Sequence, residues 1–223
     1  ILFDRPCRKA DRAILARRSR RIGADEMMIG GGERLMVSTM EKVAFNHVCR
    51  YRWAIHKALE LGAKTVIDGA CGIGYGSRLA AEKGLHVYAI DRSEDAEPYQ
   101  RNFAHPLVMF NTVDCADAKL PAADIAFTIE TVEHLDDDLG WLKKLRAACK
   151  FLVVTVPNQD VVRFIQEHHR WHKRHYTKFQ LAKLLEAAGW EPMEWHTQYE
   201  KWDRDKAQMR PGDDGMTLGV ICK

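Results

Sequence analysis

The stretch Thr65–Gly76, TVIDGACGIGYG, decides the fold of this chain. Three apolar or β-branched residues, Thr65, Val66 and Ile67, run into Asp68, and a loop carrying Gly69, Gly72, Gly74 and Gly76 follows. Ser77–Lys83 reads as a helix, closed by Gly84 at the usual C-terminal glycine position. A buried strand, a glycine turn and a helix N-terminus let a ligand lie against bare backbone. A Cβ there would block both the positive φ angles and the close approach.

Outward from this stretch the chain alternates strand and helix. Upstream, Ala44, Val48, Tyr51, Ile55 and Leu59 recur at three or four residues and predict one helix over 39–61. Downstream, strands are expected at 85–90, 107–110, 124–129 and 151–156. Between them fall helices at 93–103, with Pro98 suited to a first turn, and at 138–149. Thr177 with Gln180 forms a capping-box pattern that opens a helix over 179–188. Strand-like segments at 190–198 and 216–222 close the chain, with a charged linker over 199–215. Continuous apolar strands separated by helices mean a mainly parallel sheet covered on both faces.

The 223 residues suffice for one full-sized domain, and 46% apolar with 29% charged content is that of a globular protein. The organisation expected is a basic arm over 1–38 and one domain over 39–223, with a lid at about 157–176. A net charge of +3 does not by itself imply nucleic acid, but Arg5, Arg8, Lys9, Arg12, Arg17, Arg18, Arg20 and Arg21 stand against Asp11 alone. That run is read as a solvated arm, with steering toward phosphates as the sharper alternative. The six cysteines include no Cys-x-x-Cys pair, which argues against a zinc ribbon and a disulfide framework and fits a cytoplasmic location. No apolar run approaches the roughly 18–20 residues that span a bilayer.

Asp91 ends the second expected strand, about 20 residues beyond the glycines, where an acid can accept hydrogen bonds from both hydroxyls of a ribose. Glycine loop and ribose acid together imply an adenosine-bearing ligand over the carboxyl ends of the strands. Ser77 stands where the dinucleotide fingerprint wants Gly or Ala, which speaks against a nicotinamide oxidoreductase.

On these residues the chain resembles the class I S-adenosylmethionine-dependent methyltransferases. Val66–Gly74 looks like that family's first motif, with Ala70 in place of a glycine, an exchange that asks only for an ordinary backbone conformation there. Ile129–Leu135 and Leu152–Asn158 resemble the ends of its fourth and fifth strands, and Gly32-Glu33-Arg34 with His47-x-x-Arg50-Tyr51 the helical region of a bacterial subgroup, some of whose members act in glycan pathways. The resemblance covers roughly 32–190. It implies a Rossmann-like, doubly wound α/β fold whose seven-stranded, mostly parallel sheet has an antiparallel last strand. It further implies S-adenosyl-L-methionine as cofactor, with Asp68, Gly69, Ala70, Gly72 and Gly74 on its methionine side. Asp91 would hold the ribose, Asp114 and Cys115 the adenine (Asp117 competing), and Arg50, Arg92 and Glu130 would complete the cofactor-binding set.

Methyl transfer from a sulfonium is an in-line displacement that needs alignment and exclusion of water. A hydroxyl acceptor also needs a base, and His134, after the fourth strand, is the first candidate. His172 is the second, and a capping role for His134 is the alternative. His168, His169, His172 and His175 invite a metal reading. No nearby Cys or Glu completes a plausible ligand set, and Arg170, Lys173 and Arg174 interleave them, so a basic-aromatic lid without metal is expected. It would suit a small-molecule or glycan acceptor. Nucleic acid is the rival acceptor, and a non-catalytic cofactor-binding protein stays open. Base amino-methylation wants an Asp/Asn-Pro-Pro-Tyr/Phe type segment where this chain has Glu130-Thr-Val-Glu133. The cysteine chemistry of cytosine methylation finds only Pro6-Cys7, far upstream.

Overall fold

The computed structural model describes residues 36–199, 203 and 205–223, and the unit 37–223 is treated by itself. The basic arm, Pro6-Cys7 and Gly32-Glu33-Arg34 lie outside the described residues. In chain order the elements are α1 (Phe45–Glu60), β1 (Thr65–Gly69), α2 (Tyr75–Ala81), β2 (His86–Asp91), α3 (Glu97–Gln100), β3 (Val108–Thr112) and β4 (Ala123–Ile129). Then come α4 (Asp138–Ala148), β5 (Cys149–Pro157), α5 (Lys178–Ala187), β6 (Pro192–Gln198), β7 (Arg210–Pro211) and β8 (Thr217–Cys222).

The sheet runs β3-β2-β1-β4-β5-β8-β6-β7. The first five strands are mutually parallel, and β8 lies antiparallel to both β5 and β6. The antiparallel last strand is therefore present, but the sheet has eight strands, not seven. The extra one is β7, two residues of the charged linker that pair with His196 and Thr197. A strand that short carries no alternation to read.

Side chains alternate across β1, and this places the site. Ile67 and Gly69 face α4, where the Trp141 ring would meet a Cβ on Gly69 at 2.4 Å. Asp68 faces the other way, toward Tyr51 of α1. A core cluster packs Ile67, Leu152 and Val154 of the sheet against Trp141, Leu142, Leu145, Leu181 and Leu185 of α4 and α5. Each such side chain contributes about 1.5–3 kcal/mol when fully buried, as an upper figure.

The expected helix over 39–61 is divided. A 3₁₀ turn at Met40–Lys42 is followed by extended backbone at Val43 and Ala44 before α1 begins. α2 begins at Tyr75, ahead of Ser77, because Gly74 in the left-handed region (φ 84°) already turns the chain into the helix. Pro98 sits in the first turn of α3, and the Thr177–Gln180 capping box is formed in both directions. The segment 157–176 is built of turns and bends without helix, anchored by a bridge between Asn158 and Tyr176. No helix of the described residues is long and apolar enough to cross a membrane.

Candidate active site

At the carboxyl end of β1 the Asp68 carboxylate is fully buried and accepts hydrogen bonds from Tyr51 Oη (3.0 Å) and Ser77 Oγ (2.5 Å). Burial pushes its pKa up to about 7, against the opposing pull of those two hydroxyls. Ser77, the departure from a dinucleotide fingerprint, thus serves as a donor to this carboxylate. The loop then turns on two left-handed glycines, Gly72 (φ 57°) and Gly74 (φ 84°), with the Phe110 ring 2.4 Å from where a Gly74 Cβ would stand. Ala70 is left-handed as well, at φ 60°. This corrects the expectation of an ordinary backbone there, since αL costs a non-glycine residue about 1–2 kcal/mol.

Asp91 is nearly buried, and both its oxygens serve the loop. Oδ2 accepts from Gly72 N–H (2.9 Å) and Oδ1 from Ser93 N–H (2.8 Å). Each oxygen keeps a further lone pair for a ligand hydroxyl. Gln100 Nε2 donates to Gly72 O (2.9 Å), fixing the loop from below. Arg92 is exposed and lies 3.6 Å from Asp114, whose Oδ1 accepts from Ala116 N–H. Cys115 is buried while Asp117 is exposed, so Asp114 is the acid of the two that sits partly inside.

At the end of β4, Glu130 is also left-handed (φ 50°). Its carboxylate accepts from Thr155 Oγ1 (2.8 Å) and pairs with Arg50 at 3.3 Å. Arg50, buried in α1, donates in addition to Gln198 Oε1 and Thr217 Oγ1, both at 3.1 Å. Arg50, Glu130, Gln198 and Thr217 border a cavity of about 140 Å³ together with Asn46, Pro157, Val162 and Met216. A strained backbone held by a partly buried ion pair beside a cavity is the pattern of a functional site.

The turn after β4 receives the segment 157–176. Lys173 N–H donates to Glu133 O (2.7 Å), Tyr176 Oη to Asp138 (2.7 Å), and Arg174 pairs with Asp138 (2.6 Å). This docking brings the His134 and His172 rings to 4.5 Å, edge to face. His172 Nδ1 lies 2.7 Å from His175 Nε2, and His175 Nδ1 2.6 Å from Val162 O. Burial, then neighbouring His134, His175 and His169, push the His172 pKa down to about 3, so its ring stays neutral and holds a proton poorly. His168 is exposed on the outer side of the segment.

A protein-family model described as "Methyltransferase domain" matches residues 29–194. The chain belongs to the class I S-adenosylmethionine-dependent methyltransferases. A probable S-adenosylmethionine-dependent methyltransferase of Mycolicibacterium smegmatis is 28% identical over 65% of this chain and 58% of its own length. Another of that description from Mycobacterium tuberculosis is 29% identical over 44% of this chain and 37% of its length. The chain thus spans little more than half of one curated relative and less of the other. Among solved structures, a Burkholderia thailandensis 1,6-didemethyltoxoflavin N1-methyltransferase with bound 1,6-didemethyltoxoflavin and S-adenosylhomocysteine superposes with a TM-score of 0.58. It is 21% identical and covers 78% of this chain and 77% of that one, a likeness of fold.

S-adenosyl-L-methionine is the cofactor of this family, and the residues of this methyltransferase fit it. Nothing stands within 4 Å of a Cβ added at Gly72, so the loop is open on that side, and Asp91 retains acceptor capacity beside it. Arg50 and Glu130 offer opposite charges at the cavity, suited to the carboxylate and ammonium of an amino acid. Tyr51, Ser77, Gln100, Thr155, Gln198 and Thr217 were not read as site residues from the sequence. Ser77 left a signal as the misfit in the glycine fingerprint, and Tyr51 and Thr155 lie inside the motif segments; Gln100, Gln198 and Thr217 come from elements that the sheet topology alone brings together.

Proposed function

We propose that this methyltransferase transfers the methyl group of S-adenosyl-L-methionine to a hydroxyl oxygen of a small molecule or glycan. Asp68, Gly69, Ala70, Gly72 and Gly74 serve the methionine side of the cofactor, with Arg50 and Glu130 at its amino-acid end. Asp91 and Arg92 serve the ribose, and Asp114 with Cys115 the adenine. The observation that carries the reading is the His134–His172 pair in the turn after β4, adjoining the Glu130 strand end. The His134 imidazole there suits an acceptor that must give up a proton, which a hydroxyl does and a neutral amine need not do before attack. The small-molecule substrate of the Burkholderia neighbour supports an acceptor of that size, although that enzyme methylates a nitrogen. The five described cysteines are buried, and no Cys-x-x-Cys pair stands among them, which supports a reducing compartment such as the cytoplasm.

Two measurements test this. Calorimetric titration should show S-adenosylmethionine and S-adenosylhomocysteine binding well below millimolar; absence of both sinks the cofactor assignment. A labelled-methyl screen of sugars and small alcohols, amines and RNA should then label the hydroxyl class. With that acceptor, His134→Ala should cut kcat about 10²–10⁴-fold while leaving S-adenosylhomocysteine affinity within a few-fold. Wild-type turnover by the variant removes the role of His134, and labelling of RNA alone turns the reading toward nucleic acid.

A further inference from the structure

Within the histidine run no Glu or Cys completes a ligand set, but the fold brings Glu133 to it from the turn after β4. Glu133, His134 and His172 each offer a ligand atom, and the three atoms lie within 4.8 Å of one another. Glu133 is fully buried, and His134 Nε2 lies 4.0 Å from its Oε1.

The outer contacts of the two rings fix their tautomers. His134 Nδ1 lies 3.0 Å from Trp171 O, and a carbonyl only accepts, so Nδ1 carries the hydrogen and Nε2 keeps its lone pair. His175 Nδ1 donates to Val162 O by the same reasoning, so its Nε2 accepts from His172 Nδ1. That leaves the lone pair of His172 on Nε2. A ring nitrogen donating outward to a carbonyl or a further acceptor is how metal-ligating histidines are oriented. Glu130 is held by Arg50 and Thr155 and so does not replace Glu133 in the set, and the Lys173 ammonium pairs with Asp136 at 2.8 Å.

We infer that Glu133, His134 and His172 form a binding site for a divalent transition-metal cation. Two imidazoles and one carboxylate suit the Mn²⁺ to Zn²⁺ series better than the all-oxygen sets of Ca²⁺ or Mg²⁺. Three protein ligands leave positions open for water or an acceptor oxygen, as catalytic metal sites do. The role of the cation, unlike its binding, rests on the hydroxyl-methylation reading above. There a bound cation, with His134 as its ligand instead of a free base, would draw in the acceptor hydroxyl and lower its pKa, and the proton would pass to water. The oxygen then attacks the methyl carbon. The C–O bond forms as the C–S bond breaks with its electron pair on sulfur, turning the sulfonium into a neutral thioether.

The test reads binding without turnover. The full chain, stripped with EDTA, is titrated with Co²⁺ and followed by visible absorption, with Mn²⁺ and Zn²⁺ by calorimetry. One equivalent per chain is expected. His134→Ala, His172→Ala and Glu133→Gln should each weaken uptake by more than about 100-fold, and His175→Ala, one shell out, by about 10–100-fold. S-adenosylhomocysteine titration of the same proteins reports folding: the two histidine variants are half-exposed and should keep that affinity even where Glu133→Gln does not fold. No stoichiometric uptake by the wild type, or unchanged uptake by both histidine variants, overturns the site. Metal uptake without S-adenosylhomocysteine binding overturns the cofactor assignment and leaves the site standing.

Discussion

Ala70→Gly should stabilise this protein, although it removes a methyl group and adds chain freedom. At φ 60° the Ala70 Cβ crowds its own backbone, a strain of about 1–2 kcal/mol that glycine does not feel. Glycine offsets about 0.5–1 kcal/mol of that through the larger entropy of its unfolded chain. The net gain is about 0.5–1 kcal/mol, or roughly 1–4 °C in Tm for a domain of this size. Gly74→Ala in the same loop should do the reverse. Its φ of 84° puts alanine in the same strained region, and the Phe110 ring, 2.4 Å from the new Cβ, must move. Strain and overpacking together cost about 2–4 kcal/mol. Both variants are compared with wild type by urea unfolding without cofactor, where a change in midpoint at constant slope reports stability. A lowered midpoint for Ala70→Gly, or an unchanged one for Gly74→Ala, would refute the backbone reasoning for the loop.

Two further outcomes follow from the buried charges. Asp68 titrates near 3.8 when unfolded and near 7 when folded, so between those values the folded state holds a proton that the unfolded state lacks. Its contribution to stability therefore falls as pH rises from about 4 to 7, and Asp68→Asn removes that fall. The variant should gain on wild type by a few kcal/mol across the window in unfolding titrations; a constant difference would contradict the raised pKa. Arg50→Met leaves Glu130 without its ion partner beside Gln198 and Thr217, and should cost about 2–4 kcal/mol. Adding Glu130→Gln should recover part of that loss, and additive losses in the double variant would show that the pair is not coupled.

The strand–loop–helix at Thr65–Ala81 was legible because its signals are local. A β-branched run, glycines at turn positions and an acid closing the next strand each act within a few residues of themselves. The Thr177 cap was legible for the same reason. The two-residue β7 and the break at Val43-Ala44 were not, since neither leaves a periodic pattern longer than noise. Ala70 was misread because φ depends on how the loop closes over β1 and β2, not on the residue written there.

The sequence by itself determined the parallel strands with their antiparallel last partner, the glycine loop and the positions of Asp68 and Asp91 at the strand ends. Only the tertiary structure decided that Arg50 meets Glu130, Gln198 and Thr217, contacts that join α1 to β4, β6 and β8 across the sheet. It also set His172 against Glu133 and His134, because the chain leaves the sheet after β5 and folds back on the turn after β4. Contacts between residues so far apart in the chain follow from strand order and crossover geometry. No spacing within either segment encodes them.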